Sequence, residues 1–263
     1  MGSATRESVS AAIAALTAQS GVDLATGEQL LTAALTVDGA PHLRAALADD
    51  AADPADRQAV VNALFSGYTK TAQTVIAALV AGRWSSPDDL VGGIEQLGIR
   101  ALAASAPSTV SINDELFAFS AAVASDPELE LAVSSKLGAA DAKVALVERL
   151  IGGKASKQTV AILSALIAQP RGRRIAELIR YASTIVAEQA GASIATVTVA
   201  APLGVAQAGR LAKALSAQYG ANIRINEVVD PSILGGMRVQ IGDEIIDGTI
   251  ANRITDLRLR LAS

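Results

Sequence analysis

Most of the chain alternates between short segments with an apolar stripe and brief polar breaks, a spacing typical of packed amphipathic helices. In the segment 5–18, for example, Val9, Ile13 and Leu16 fall on one helical face. Asp53 and Ser86 each precede a proline, which marks a capped helix start. The pattern predicts helices over 5–18, 28–37, 41–47, 55–65, 69–81 and 87–104.

The pattern changes near residue 193, where apolar and polar residues alternate as they do in a strand. A helix over 203–219 and a second strand over 222–229 follow. The segment 237–246 predicts a hairpin, because Gly242 and Asp243 form a two-residue connection of the primed-turn type. A terminal helix is expected after Gly248 and Thr249, with its apolar stripe on Ile250, Ile254, Leu257 and Leu261.

The helical part contains an internal repeat, which indicates two stacked copies of one unit. At one constant offset, Gln29–Leu31 matches Glu115–Phe117, Pro41 matches Pro127, and Arg57 matches Lys143. After a slip of one residue, Gln73–Val75 falls on Gln158–Val160, and Leu90 and Ile94 fall on Ile175 and Ile179. Little sequence separates the helix 87–104 from the second copy, so this helix can end one bundle and open the next.

The predicted fold class is therefore mostly α with a small α+β C-terminal domain. Two repeated helical bundles are followed by a strand-helix-strand-hairpin-helix unit. We expect three domains: an N-terminal bundle at 1–105, a second bundle at 106–191, and a small α/β domain at 192–263.

Composition and charge narrow the classes of function. Apolar residues make up 51% of the chain but aromatic residues only 3%, which favours close-packed helices over aromatic ligand pockets. A net charge of -4 argues against nucleic acid as a partner, because phosphates require clustered basic residues. The chain has no cysteine, which excludes thiolate chemistry and suits a protein of a reducing compartment. Its apolar runs, such as 75–81, are too short for direct membrane insertion.

No catalytic residue, cofactor or metal site is predicted. The single histidine, His42, lies at a predicted helix start and is interpreted as a surface or capping residue. The run 152–155 lacks the upstream glycine and the hydroxyl of a phosphate-binding loop, so we interpret it as the end of a helix. Three acidic residues of the hairpin, Asp243, Glu244 and Asp247, are interpreted as surface charge, since a cation cage needs more converging oxygens.

Two features leave alternatives open. Arg171, Arg173 and Arg174 form the densest basic cluster, at the start of a helix where positive charge is unfavourable unless acids oppose it. These arginines either meet acidic side chains of a partner or form a solvated loop. The only tryptophan, Trp84, lies in a predicted interhelical loop and is either a packing plug or an interface anchor.

The stretch 229–248 combines a turn, a strand, a hairpin and a helix start in a fixed order. It resembles the C-terminal signature of the delta subunit family of F-type ATP synthases, which includes the mitochondrial oligomycin-sensitivity-conferring protein. The residues that carry the resemblance are Leu234, Gly235, Gly236, Val239, Gly242, Asp243, Ile246, Asp247 and Gly248. The segment 112–263 covers most of one family-length chain, and the departure from the family is the extra N-terminal module at 1–82.

The resemblance implies a non-enzymatic stator subunit. In such a synthase the helical bundle grips the N-terminal helices of the alpha subunits, and the C-terminal domain holds the C-terminal ends of the membrane-anchored b subunits, so that the link resists rotor torque. The protein would then lie peripherally at the cytoplasmic face of a bacterial cell membrane. We expect the alpha contact in a groove of the second bundle. The alternative is a free-standing helical-repeat adaptor, and an enzyme is the least favoured class.

Overall fold

A computed structural model of the chain describes residues 2–135, 139–220, 222–242, 244–252 and 254. The chain divides into two compact units, the first ending at Val186 and the second beginning at Ala187. Unit 1 is helical, whereas unit 2 contains a four-stranded sheet. The predicted fold class, mostly α with a small α+β C-terminal part, is confirmed.

The first six helices of unit 1 begin and end close to the predicted positions. Asp53 accepts a hydrogen bond from Ala55 N at 2.8 Å, and Ser86 caps its helix in the same way, as predicted. The second helix starts earlier than predicted because Asp23 caps it, accepting from Thr26 N at 2.8 Å. The six helices are α1 Ser3–Thr17, α2 Leu24–Asp38, α3 Pro41–Ala48, α4 Pro54–Leu64, α5 Lys70–Ala81 and α6 Pro87–Ser105.

Five further helices repeat the order of α2 to α6. They are α7 Ile112–Ser125, α8 Pro127–Ser134, α9 Ala140–Ile151, α10 Lys157–Ala168 and α11 Ile175–Gln189. The second half of the predicted register is wrong, because Thr69 and Ser156 are the equivalent capping residues of α5 and α10. Gln158 therefore corresponds to Thr71, and the three-residue match of Gln73–Val75 is a coincidence of composition.

The two copies also share a contact that ties one helix to the cap of another. In the first copy, Gln29 Oε1 accepts a hydrogen bond from Thr69 N at 2.8 Å. In the second, Glu115 Oε1 accepts from Ser156 N at 3.0 Å. The first contact joins α2 to the start of α5, and the second joins α7 to the start of α10. Because these helices occupy the same places in the two copies, the contacts support a duplicated unit rather than chance similarity between alanine-rich helices.

Unit 1 contains two hydrophobic cores that meet at α6. The N-terminal half of this helix contributes Leu90 and Ile94 to the first core, and its C-terminal half contributes Ile99 and Leu102 to the second. The helix therefore belongs to both bundles, as the short connection after it indicated. Both cores lie within one compact unit, and the division into three domains at 105 and 191 stays a prediction.

Unit 2, where it is described, contains a sheet on which a helix packs. The strands are β1 Ala192–Val199, β2 Asn222–Val229, β3 Met237–Ile241 and β4 Glu244–Asp247, and the helix is α12 Val205–Tyr219. The strand order is β2-β1-β3-β4, with β1 parallel to β2 and antiparallel to β3. Gly220 ends α12 in the left-handed conformation (φ 64°). Leu215 of α12 packs with Val197 and Val239 in the core.

Candidate functional site

The glycines of the C-terminal signature are required by the backbone of unit 2. Gly235, Gly236 and Gly242 all have positive φ, at 136°, 83° and 58°. A Cβ atom on Gly236 would lie 2.4 Å from the carbonyl oxygen of Gly248 and 2.9 Å from Thr249 Cα. The start of β3 therefore packs directly on the backbone that leaves β4, which explains why the signature has a glycine at position 236, opposite Gly248.

Asp247 joins the same two segments through its side chain. Its Oδ1 atom accepts from Thr249 Oγ1 at 2.6 Å and from Thr249 N at 3.0 Å, and its Oδ2 atom accepts from Arg238 Nε at 3.1 Å. The hydrogen bonds from the Thr249 side chain and backbone lower the pKa of Asp247. Val239 is buried opposite Ile246. The described signature residues thus act mainly as a scaffold.

The hairpin and the terminal helix agree with the sequence pattern where they are described. β3 and β4 pair antiparallel, and Thr249 Oγ1 accepts from Asn252 N at 3.3 Å at the start of a helical segment. Asp243 of the predicted turn, and Leu257 and Leu261 of the predicted stripe, lie outside the described residues.

One group of apolar side chains near the signature is left exposed in the described part of unit 2. Leu234 is 81% exposed, and Ile250 and Ile254 remain 45% and 44% exposed. Leu234 adjoins Gly235, on which Ile250 rests, and Ile254 follows one helical turn later. These three residues form what we call the unit 2 patch. Exposed apolar residues that cluster in this way are typical of a protein interface.

Unit 1 contains an open groove where the two copies meet. Its volume is about 470 Å³, within the range of binding clefts. The groove lies between α2 of the first copy and α9 and α10 of the second. Ala161, Ala165 and Ala168 follow helical spacing on α10, and their small side chains give the groove its depth. The other lining residues are Glu28, Leu31, Thr32, Leu35, Val144, Glu148, Gly152, Gly153, Ala155, Lys157, Val160 and Ser164.

The arginine cluster meets acids of its own chain. Arg173 Nη2 donates to Glu95 Oε2 at 2.8 Å, and the Arg173 guanidinium lies 4.8 Å from the ring centroid of Tyr181. Burial disfavours the charged form of Arg173, but the hydrogen bond and charge of Glu95 outweigh it, so the pKa of Arg173 is raised. Arg174 is exposed. Contact of these arginines with a partner stays a prediction, and Arg174 has the most accessible side chain.

Arg171 occupies a strained position in the same loop. Its φ is 49°, and it is the one non-glycine residue with positive φ in the part of the chain that is described. Together with Gly172 (φ 79°) it forms a tight turn, closed by a 2.9 Å hydrogen bond from Arg173 N to Pro170 O. The left-handed conformation costs an arginine about 1 kcal/mol. Such strain persists where surrounding contacts hold the residue in place.

Other residues considered in the sequence have structural explanations. Trp84 is buried against Gly93, and its Nε1 donates to Leu79 O at 2.9 Å, so it is a packing plug. His42 is exposed at the start of α3. Gly152 follows the last residue of α9 and donates to Glu148 O at 2.8 Å, which confirms a helix end.

Within the ranges that the structure describes, acidic and histidine side chains form no group suited to a metal ion. Over the same ranges, every helix is too short or too polar to cross a bilayer.

Comparison with protein families identifies the part of the chain that carries the signature. The model of the family described as "ATP synthase delta (OSCP) subunit" matches residues 99–261. The chain belongs to this family. An ATP synthase subunit delta of Leifsonia xyli subsp. xyli is 51% identical over all of both chains. That of Thermobifida fusca is 38% identical over 90% of this chain and 89% of its own.

A solved structure also shows a partial likeness. A chain of the Toxoplasma gondii mitochondrial ATP synthase hexamer aligns with 64% of this chain and 97% of its own length. The identity is 17% and the TM-score 0.40.

Family membership settles the class of function. The protein is a non-catalytic subunit of the ATP synthase peripheral stalk, and the alternative of a free-standing adaptor falls away. The family match begins inside α6, so α1 to α5 lie outside it. The Leifsonia relative nevertheless spans the whole chain, including this N-terminal part.

Proposed function

We propose that the protein links the alpha subunits of the catalytic head to the b subunits and so resists rotor torque during ATP synthesis. The groove between α2 and α9–α10 is the observation that carries the alpha contact. A stator link needs slow dissociation rather than reactive groups, and a helix buried in an apolar groove provides it.

The groove favours an amphipathic helix as its occupant. Its floor consists of half-buried aliphatic residues such as Leu35 and Val160, which suit apolar anchors at helical spacing. Its rim carries two exposed carboxylates, Glu28 and Glu148, and one exposed amine, Lys157. We therefore propose that the N-terminal helix of an alpha subunit binds here, with a basic residue beside its apolar stripe.

Filling the groove tests this contact. Ala165→Leu adds apolar volume to the floor without adding charge, and calorimetric titration with a synthetic alpha N-terminal peptide measures the result. We expect at least about tenfold weaker binding, because 1.4 kcal/mol of lost contact corresponds to a factor of ten. Unchanged affinity in a folded variant would contradict the assignment to this groove.

The internal repeat offers a matched control. Ala78 occupies the position of α5 that corresponds to Ala165 in α10, and its side chain is likewise half-buried. Ala78→Leu makes the same chemical change on the other copy and should leave the affinity for the peptide unchanged. If Ala78→Leu weakens binding and Ala165→Leu does not, the alpha contact belongs to the N-terminal copy instead.

We assign the unit 2 patch to the C-terminal ends of the b subunits. Leu234 is a signature residue that is largely exposed in the described part of unit 2, so a partner is the simplest reason for its apolar character. Leu234→Asp should abolish capture of the soluble part of b while the circular dichroism spectrum is unchanged. Val60, an exposed apolar residue of α4, provides the control variant Val60→Asp. Equal loss in both variants would point to a non-specific effect of charge.

The location of the protein in the cell follows from these proposed partners. We place the protein at the cytoplasmic face of a bacterial cell membrane, held there peripherally through b. It should remain with membranes that carry the synthase and leave them in a detergent-free wash that releases the catalytic head. Retention that requires detergent for release would contradict peripheral attachment.

A further inference from the structure

The loop between α10 and α11 is attached to the first copy at two separate points. At one point, Arg171 Nη2 donates to the carbonyl oxygen of Asp88 at 2.6 Å, and Arg171 Nε lies 4.0 Å from Asp38 Oδ1. At the other, Arg173 Nη2 bonds Glu95 Oε2 at 2.8 Å. Asp88 and Glu95 lie two turns apart on one face of α6, roughly 10 Å along its axis at 1.5 Å per residue.

Asp38, the last residue of α2, is the centre of the first attachment. Its side chain is 9% exposed and accepts from Gln169 Nε2 of the second copy through Oδ2. Its Oδ1 atom accepts from Arg44 Nη1 at 2.9 Å, and the same Arg44 atom lies 3.0 Å from Asp88 Oδ1. The end of α2, the start of α3 and the start of α6 are thus held to one loop of the second copy.

We propose that Asp38, Glu95, Arg171 and Arg173 form a latch that fixes the two bundles of unit 1 at one angle. The two bundles already share α6, and two attachments about two helical turns apart oppose rotation of one bundle against the other more strongly than a single contact would. The strain at Arg171 is consistent with this function, because the left-handed turn points both arginines at the first copy. The latch lies beyond the partner contacts proposed above and does not depend on them.

The absence of cysteine from the chain allows a direct measurement of this angle. Ala59 of α4 and Ala145 of α9 are exposed and correspond to each other in the two copies. Spin labels on Ala59→Cys and Ala145→Cys report the distance between the bundles by pulsed electron paramagnetic resonance. With the latch intact we expect one narrow distance distribution. In Arg173→Met and in Asp38→Ala the distribution should become about twofold broader, as expected for a released hinge.

Two further variants separate the latch from a merely structural role. Arg174→Ala changes the exposed arginine of the same loop and should leave the distribution narrow. Arg171→Gly removes the backbone strain together with the ionic contacts. If the latch is correct, this variant broadens the distribution although the turn itself is relaxed. The proposal is overturned if Arg173→Met, Asp38→Ala and Arg171→Gly all keep the narrow distribution, or if Arg174→Ala broadens it equally.

Discussion

The close packing of α2 against α6 depends on glycine, and adding one methyl group there should destabilise the protein. Gly98 of α6 faces Leu31 of α2, and Gly27 of α2 faces Leu102 of α6. A Cβ atom on Gly98 would lie 2.8 Å from Leu31 Cδ2 and 3.1 Å from Leu31 N. We therefore predict that Gly98→Ala forces α2 and α6 apart.

The size of the effect follows from two opposing terms. Apolar carbon atoms pack at about 3.5–4.0 Å, so the helices must separate by roughly 1 Å. Leu31 is only 3% exposed and cannot swing away, and overpacking of this kind costs about 1–3 kcal/mol. Alanine has a higher helix propensity than glycine, which stabilises the helix by about 1 kcal/mol. The free energy of unfolding of Gly98→Ala should therefore be about 1 kcal/mol lower. Gly27→Ala should lose about 2 kcal/mol, because its Cβ would lie 2.9 Å from Leu102 N.

Gly92 provides a control in the same helix. A Cβ atom there would meet only Arg171 Nη1, at 3.5 Å, which is an ordinary contact. Gly92→Ala should therefore stabilise unit 1 by about 0.5–1 kcal/mol. Urea unfolding followed by fluorescence measures unit 1 selectively, because the single tryptophan, Trp84, is buried in its first core. In thermal scans, each kcal/mol should shift the midpoint by about 2–4 °C.

The double variant tests the geometric reasoning further. One separation of α2 from α6 relieves both contacts, so Gly27→Ala combined with Gly98→Ala should cost less than the sum of the two single changes. The interpretation would be refuted if Gly98→Ala raised the urea midpoint as Gly92→Ala does, or if the two costs simply added.

Three other predictions concern unit 2 and the titrating groups. Gly236→Ala should destabilise unit 2 by about 2 kcal/mol or more, seen as faster proteolysis. In Gly209→Ala the added Cβ atom would meet no other atom within 4 Å, so this variant should slow proteolysis. Burial and the charge of Glu95 raise the pKa of Tyr181 above its ordinary 10.0, so its contribution to stability is present below pH 10 and is lost as pH rises further. Tyr181→Phe should flatten that decline in urea midpoint. Hydrogen bonds from the Thr26 side chain and backbone lower the pKa of Asp23, so its cap is lost as pH falls below 3.8. Asp23→Ala should cost about 1 kcal/mol at neutral pH and less in acid, by chemical unfolding.

Features set by neighbouring residues could be predicted from the sequence. The caps at Asp53 and Ser86, the end of α12 at Gly220 and the hairpin at 237–246 all depend on side chains within a few positions. The repeat could be predicted as well, since α7 to α10 keep the order and nearly the lengths of α2 to α5. The predicted register of the later helices was wrong because Gln73–Val75 and Gln158–Val160 have the same sequence but occupy different positions in their helices. The equivalent starts of α5 and α10 are marked by the capping hydroxyls of Thr69 and Ser156.

The surroundings of the arginine cluster could not be predicted in this way. Arg173 meets Glu95, and Arg171 meets Asp38 and the carbonyl oxygen of Asp88, which are distant in sequence and close only after the two bundles pack. The sequence contained one indication of this contact. Asp88 and Glu95 lie two turns apart on α6, and Glu95 interrupts an otherwise apolar surface. A buried carboxylate needs a cation, and only the fold shows that the same chain supplies it.

The contrast between the two copies indicates what the joint between them requires. Both keep a contact to a helix cap, from α2 to α5 in the first copy and from α7 to α10 in the second, which holds each bundle together. The glycines that bring α2 against α6 are not repeated, because Asn113 and Val186 stand at the positions that correspond to Gly27 and Gly98. In the first copy, α2 packs against α6 and also lines the groove beside α10. The duplicated part of the sequence therefore builds each bundle, and the residues that differ between the copies build the joint.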